Sequence, residues 1–260
     1  MQYKRLGTMQ VLEGFFWLKN SIYNKHHIVI ACFPKSGSSF LKFHLIKLTG
    51  FKDYHFKSAS LAFNDFLYLP RIIESLSQNT ITQQHFRFFG ANEKYLKLMK
   101  VKPIVLVRDI FDTVISYAEH IDESYNHQLI NADFIQDYLL LKPGKKYDYV
   151  IDMVLPWYFS FYATWYRASF IDNKIDAYWI SYEDLMAYKE DEIYKILLHQ
   201  GLSVDSEVVK ASVNNVDNNA SRLNVGISGR GREFLNESQI EKIISYASFY
   251  PEIDFKRIGI

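Results

Sequence analysis

The chain has 260 residues, of which 48% are hydrophobic and 23% charged, with a formal net charge of +1. This is a globular composition, long enough to bury a core without a metal or disulfide staple, and it excludes a disordered chain. The near-neutral balance lacks the basic excess of a general nucleic-acid binder, so an anion site must come from local placement of Arg and Lys.

In chain order, the apolar stretch 11–18 contains Glu13. It falls short of the ~20 apolar residues of a membrane span and lacks the layout of a signal peptide, so no membrane partner is expected. Residues 27–33 (HIVIACF) are almost all apolar, which predicts a buried strand. This run holds Cys32, the only cysteine, so neither an intrachain disulfide nor a multi-thiolate zinc site can form. That suits a reducing, cytoplasmic setting. A loop at 34–38 and a mostly buried helix at 39–48 follow, the strand–loop–helix arrangement that binds phosphate in α/β folds. Residues 58–77 read as helical with a break near Pro70. Residues 80–89 read as a short strand with its loop, and 92–100 as a helix. The stretch 103–107 (PIVLV) predicts a second buried strand, followed by Arg108, Asp109 and a helix over 110–120. Beyond these come a Trp- and Tyr-rich helix at 154–170 and a strand at 177–181. A helix opened by Tyr182, Glu183 and Asp184 follows, then another at 192–200 ended by Gly201. Residues 214–232, rich in Asn, Ser, Gly and Arg, read as a long loop of the kind that often serves as a lid.

The alternation predicts an α/β fold. It is a single domain over 1–260, with its core at about 27–250. A central parallel sheet is flanked by helices and carries a P-loop-like phosphate-binding strand–loop–helix. The 20 Phe and 19 Tyr either pack this core or line an acceptor pocket, and composition does not separate the two.

The segment 33–40 (FPKSGSSF) carries the functional argument. Ser36, Gly37, Ser38 and Ser39 are small enough to expose backbone N–H groups, and Gly37 permits backbone shapes that other residues resist. The following helix adds its free N–H groups and positive dipole end, and Lys35 adds a mobile cation. A Walker-type loop places its Lys after the second Gly, whereas Lys35 precedes Gly37, which argues against a nucleoside-kinase loop. The segment resembles the P-K-S-G-T-T-W loop of the sulfotransferases that use 3′-phosphoadenosine 5′-phosphosulfate (PAPS). Pro34, Lys35, Ser36 and Gly37 are identical, Ser38 and Ser39 stand for the two Thr, and Phe40 stands for the Trp that lies near the adenine.

Residues 105–120 (VLVRDIFDTVISYAEH) resemble the second signature of that family, in which a strand ends in Arg and Ser follows eight residues later. The resemblance implies that Arg108 and Ser116 hold the 3′-phosphate of the nucleotide. A planar guanidinium at the end of a strand can grip phosphate oxygens in pairs, although an ion pair with Asp109 or Asp112 is an ordinary fate for such an Arg. Residues 178–185 (YWISYEDL) resemble the strand followed by Tyr-Glu-Asp, which implies Tyr182 near the adenine. Residues 228–234 (SGRGREF) resemble the basic R-K-G loop of the family, implying roles for Arg230 and Gly231. Arg232 is added on reach alone.

The resemblance implies sulfuryl transfer from PAPS to a hydroxyl or amine of a small-molecule acceptor, leaving 3′-phosphoadenosine 5′-phosphate (PAP), with no metal. By analogy with phosphoryl transfer, catalysis is positioning plus charge stabilisation. Lys35 is expected to stabilise the leaving 5′-phosphate. His85 is expected to be the base, in a Gln83-Gln84-His85 context where the family has K-T-H, and its ordinary pKa suits that work. Glu119 or Asp122 are alternative bases. Two other readings stay open: a P-loop-type kinase and a non-catalytic nucleotide-binding relative. A homodimer is possible, and the acceptor is not legible.

Overall fold

The computed structural model describes residues 11, 13–16, 24–57, 65–124, 138–214 and 229–260. In chain order its elements are β1 (His27–Cys32), α1 (Ser38–Thr49), β2 (Lys52–Tyr54), α2 (Leu69–Ser75), β3 (Thr80–Gln84) and α3 (Gly90–Met99). They continue with β4 (Ile104–Val107), α4 (Ile110–Ser124), α5 (Pro143–Met153), and α6 (Leu155–Tyr166) with a π-helical turn at Arg167–Ile171. Then come β5 (Tyr178–Ser181), α7 (Tyr182–Ala187), α8 (Lys189–His199), α9 (Ser206–Asn214), α10 (Gly231–Phe234) and α11 (Glu237–Ala247), and last a 3₁₀ turn at Lys256–Ile258.

A strand apolar at nearly every position must be covered on both faces, because successive side chains point to opposite sides. In β1 all six residues are buried. Val29 and Ala31 enter one core layer, together with Val105 and Val107 of β4. Ile28, Ile30 and Cys32 enter the other, together with Ile104 and Leu106. The first layer is closed by α4, α5 and α6 through residues such as Val114, Val150 and Phe161. The second is closed by α1, α7 and α8 through Leu41, Leu185 and Ile196.

The five strands lie in the order β2-β3-β1-β4-β5, all parallel. After β1 the chain turns toward β2 on one side, and after β4 it turns toward β5 on the other. The crevice between the C-terminal ends of β1 and β4 is therefore the topological switch point, where open α/β sheets bind their ligands. The register places Ala31 opposite Gln84, Cys32 opposite Leu106 and Val107 opposite Ser181. Lys35, His85, Arg108 and Tyr182 consequently all emerge at one edge of the sheet.

Many of the aromatic rings are core. Trp165, Tyr138, Tyr158, Tyr162, Phe33, Phe86, Phe111, Phe159 and Phe161 are all fully buried. Phe33 meets Tyr158 and Phe161 edge-on, with ring centroids 4.7 and 5.2 Å apart, a favoured geometry for buried rings. Pro70 does not break a helix: it sits at the first turn of α2, where its missing N–H costs nothing. Of the stretch 58–77, residues 58–64 lie outside the described residues, as do 12, 17 and 18 of the stretch 11–18 and residues 215–228 of the expected long loop. That loop ends earlier than expected, in the helical turn α10.

Candidate active site

The loop leaving β1 is held open by its own backbone. Lys35 and Gly37 both adopt left-handed conformations, with φ of 67° and 79°. Alternation of this kind gathers successive N–H groups into an anion-binding concavity. Glycine is required at 37 for a second reason: a Cβ there would stand 2.7 and 2.9 Å from two ring carbons of Tyr182. Ser36 is buried and donates its hydroxyl to the Phe33 carbonyl at 2.7 Å, so its side chain shapes the loop. The Tyr158 hydroxyl donates to the Pro34 carbonyl at 3.1 Å. The first intrahelical bond of α1 runs from the Leu41 N–H to the Gly37 carbonyl. The backbone amides of Ser36, Gly37, Ser38, Ser39 and Phe40 find no acceptor among the described residues, which leaves five donors beside the positive end of a twelve-residue helix. The Phe40 ring is turned into the second core layer, with His44 edge-on at 4.4 Å and the Lys189 ammonium 5.9 Å from its centroid.

Arg108 forms the opposite wall. It follows β4, is almost fully buried, and donates from Nη1 to the Lys35 carbonyl at 3.0 Å. Its guanidinium lies 4.3 Å from the centroid of the Tyr182 ring, a cation–π contact. Its Nε is buried and unpartnered among the described residues. The Asp112 carboxylate stands 4.0 Å from Nη2. Asp112, Ser116, Glu119 and Glu123 recur along one face of α4, at helical spacing. The Ser116 hydroxyl makes no hydrogen bond among the described residues.

The loop at 229–231 docks on this face. The Asp112 carboxylate accepts the N–H groups of Gly229 and Gly231, each at 2.7 Å. Only glycine fits at 231, because a Cβ there would stand 2.5 Å from the Phe111 carbonyl oxygen and nearer still to the Phe111 carbonyl carbon and the Asp112 nitrogen. This close approach delivers Arg230 to Glu119, which it grips with both terminal nitrogens at 3.2 and 3.1 Å. Arg232 takes another course from the one reach suggested. It packs on the Phe111 ring at 3.9 Å and donates to the Gly259 carbonyl at 2.9 Å.

His85 follows β3, on the other side of the loop. Its Nδ1 lies 2.9 Å from the Cys32 carbonyl oxygen and 3.4 Å from the Cys32 sulfur. Donation from Nδ1 to the carbonyl leaves Nε2 with its lone pair, and Nε2 has no partner among the described residues. Burial opposes charging of the ring, but the Cys32 sulfur and carbonyl favour it, and the balance lies above the ordinary histidine value. Gln83, where the family has Lys, turns its amide to the Cys32 sulfur at 3.7 Å.

Lys35 makes no hydrogen bond or ion pair among the described residues. Burial lowers its pKa, Arg108 adds to that, and the fields of Glu123 and Glu119 oppose it. The two alternative bases are both engaged: Glu119 with Arg230, and Asp122 with Lys146 at 2.6 Å. Glu123 is a neighbour that the sequence reading did not single out, and Asp112 figured there only as an ion-pair partner for Arg108, not as the anchor of the 229–231 loop. The signal for Asp112 was its position four residues after Arg108, on the face that carries Ser116.

These elements bring eleven of the twelve expected positions to the crevice and its rim; the exception is Phe40, which contributes its amide while its ring is core. The family model described as "Sulfotransferase domain" matches residues 25–249. The chain belongs to the sulfotransferase family. Among solved structures, this sulfotransferase is similar to mouse sulfotransferase SULT7A1 complexed with PAP. The TM-score is 0.62 at 16% identity, over 92% of this chain and 91% of that one. It is also similar to retinol dehydratase, in complex with androsterone and the inactive cofactor PAP (TM-score 0.53) and with retinol and PAP (0.54). Both of these are 14% identical, over 92% of this chain and 86% of that one. At such identities the likeness establishes the fold. A search of curated proteins returned no match. Among the described residues, no helix is long and apolar enough to cross a membrane.

Proposed function

We propose that this sulfotransferase takes its sulfuryl group from PAPS and passes it to a hydroxyl or amine of a small-molecule acceptor. The observation that carries the reading is the hydrogen bond from Arg108 to the Lys35 carbonyl, across 73 residues of sequence. It joins the two motifs that the resemblance assigns to opposite ends of one nucleotide. The donor set fits such a ligand: five amides and a buried Arg108 Nε without partners among the described residues, the Ser116 hydroxyl and Arg230. PAPS supplies the sulfur electrophile: a bond from sulfur to the acceptor atom forms as the bond to the 5′-phosphate oxygen breaks, releasing PAP.

The residues divide the work. Backbone amides from Ser36 to Phe40 hold the 5′-phosphate, and the Lys35 ammonium stabilises the charge that grows on it. Arg108, Ser116, Arg230 and the loop anchored at Gly231 hold the 3′-phosphate. Tyr182 lies beside the nucleotide, with its ring fixed by Arg108 and Gly37. His85 accepts the acceptor proton at Nε2 while the Cys32 carbonyl fixes its tautomer. The ion pairs of Glu119 with Arg230 and of Asp122 with Lys146 favour His85 over either carboxylate as the base. The single buried cysteine fits action in a reducing, cytoplasmic setting.

The test pairs a binding measurement with turnover. PAP is expected to raise the melting temperature without Mg²⁺, and labelled PAPS is expected to transfer label to a member of a phenol, alcohol and amine panel. Stabilisation by ATP with Mg²⁺ equal to that by PAP would overturn the reading in favour of a kinase. PAP binding with no transfer to any acceptor would favour a non-catalytic relative.

A further inference from the structure

Under the reading above Arg230 is a ligand of the 3′-phosphate, yet its guanidinium is already taken. Nη1 and Nη2 each donate to one oxygen of Glu119, at 3.2 and 3.1 Å. That two-pronged geometry is also the one a phosphate would adopt on the same Arg. Glu119 lies three residues beyond Ser116 on α4, so the carboxylate and the hydroxyl are surface neighbours on one helix. The backbone under Arg230 is fixed separately, by the two bonds to Asp112. An exchange of partners therefore needs only side-chain motion. Room exists for it, because the side chains of Arg230 and Glu119 are 21% and 34% exposed.

We propose that Glu119 is a resident substitute for the nucleotide's 3′-phosphate. It holds Arg230 in the empty site, is displaced when a 3′-phosphorylated nucleotide enters, and recaptures Arg230 as PAP leaves. The proposal rests on the PAPS reading and adds a residue to it. Glu119 is a positioning residue that lowers affinity for the bisphosphate and speeds its departure.

Calorimetric titration of PAP and of adenosine 5′-monophosphate, which lacks the 3′-phosphate, into wild type and Glu119→Gln tests this. PAP is expected to bind the variant roughly three- to tenfold more tightly, the worth of a partly exposed ion pair that no longer has to be broken. Its dissociation rate in stopped flow should slow by a similar factor. Affinity for the monophosphate should not change. Equal PAP affinity in the two proteins, or an equal gain for the monophosphate, overturns the proposal. Glu119→Asp keeps the charge but shortens the reach, and is expected to tighten PAP binding as well. A gain confined to Gln would assign the effect to charge at a distance and also overturn it. The parent reading is checked separately by the wild type: no preference for PAP over the monophosphate removes both. A wild-type preference left unchanged in the variants removes this proposal alone.

Discussion

Gly231→Ala is the most demanding test of how the proposed 3′-phosphate site is built. The added methyl would stand 2.5 Å from the Phe111 carbonyl oxygen and closer to two further backbone atoms at the start of α4. Backbone cannot yield as a rotamer can, so the loop must lift from the helix. Lifting breaks the bonds from Gly229 and Gly231 to the Asp112 carboxylate. Hydrogen bonds to a charged group contribute about 1.5–3 kcal/mol each, which places the cost of full undocking at about 3–6 kcal/mol. Because the undocking is local, the chain should stay folded, with a melting temperature lower by about 6–20 °C. Arg230 leaves with the loop, and losing one charged phosphate contact corresponds to roughly 10- to 100-fold weaker PAP binding. Calorimetry with PAP, alongside a thermal melt, reads both effects. Asp112→Asn removes the charge but not the shape and should give a smaller loss of the same kind. Wild-type PAP affinity in Gly231→Ala would refute the claim that this contact positions Arg230.

Lys35→Ala is expected to lower turnover by about 10²–10³-fold, the scale of a lost transition-state charge contact, while PAP affinity changes far less. Turnover equal to wild type removes Lys35 from the reaction. His85→Asn should lower kcat by about 10²-fold or more with PAP affinity retained. Because the His85 pKa lies above 6.5 in the folded chain, the acid limb of kcat/KM should fall above pH 6.5, with activity rising as the ring loses its proton. A limb that survives in His85→Asn identifies a different base. His27 and His44 are both buried, and burial pushes each down to about 4, helped by His26 in the first case and by Lys47 and Lys189 in the second. Their unfolded-state values lie higher, so the stability they leave intact above pH 6.5 is lost as pH falls toward 4, at most about 3 kcal/mol for each. Melts from pH 7 to pH 4 should show the decline, and a His27→Gln, His44→Gln double variant should flatten it. An unchanged slope in the double variant would contradict this assignment.

The central strands were legible because hydrophobic runs cannot hide. The runs 27–33 and 103–107 gave β1 and β4 nearly to the residue, since full burial on both faces leaves no polar position to confuse the pattern. The edge strand β2 was not legible: it is three residues long, and Lys52 and Asp53 are exposed, so no run exists to read. Helix α5 was missed for a related reason, since its first turns carry Pro143, Gly144, Lys145 and Lys146 and bury little. In the site, Lys35, Arg108 and Tyr182 could be placed because each directly follows a strand or opens the helix after it. The pairing of Arg230 with Glu119 depends on a loop returning more than a hundred residues later, and spacing holds no record of such a return. Arg232 looked equivalent to Arg230 in sequence. The glycine between them docks against α4 and sends the two side chains to different places.

Tyr182 fills the space that a side chain at 37 would need, and it carries the Arg108 guanidinium on its face. Polypeptide from the ends of β1, β4 and β5 thus converges on a single phenol ring. On the PAPS reading, the cradle proposed for one phosphate and the grip proposed for the other touch the same ring, so that ring helps to set their separation. On that reading, drift at either anchor is transmitted to its counterpart through a rigid part.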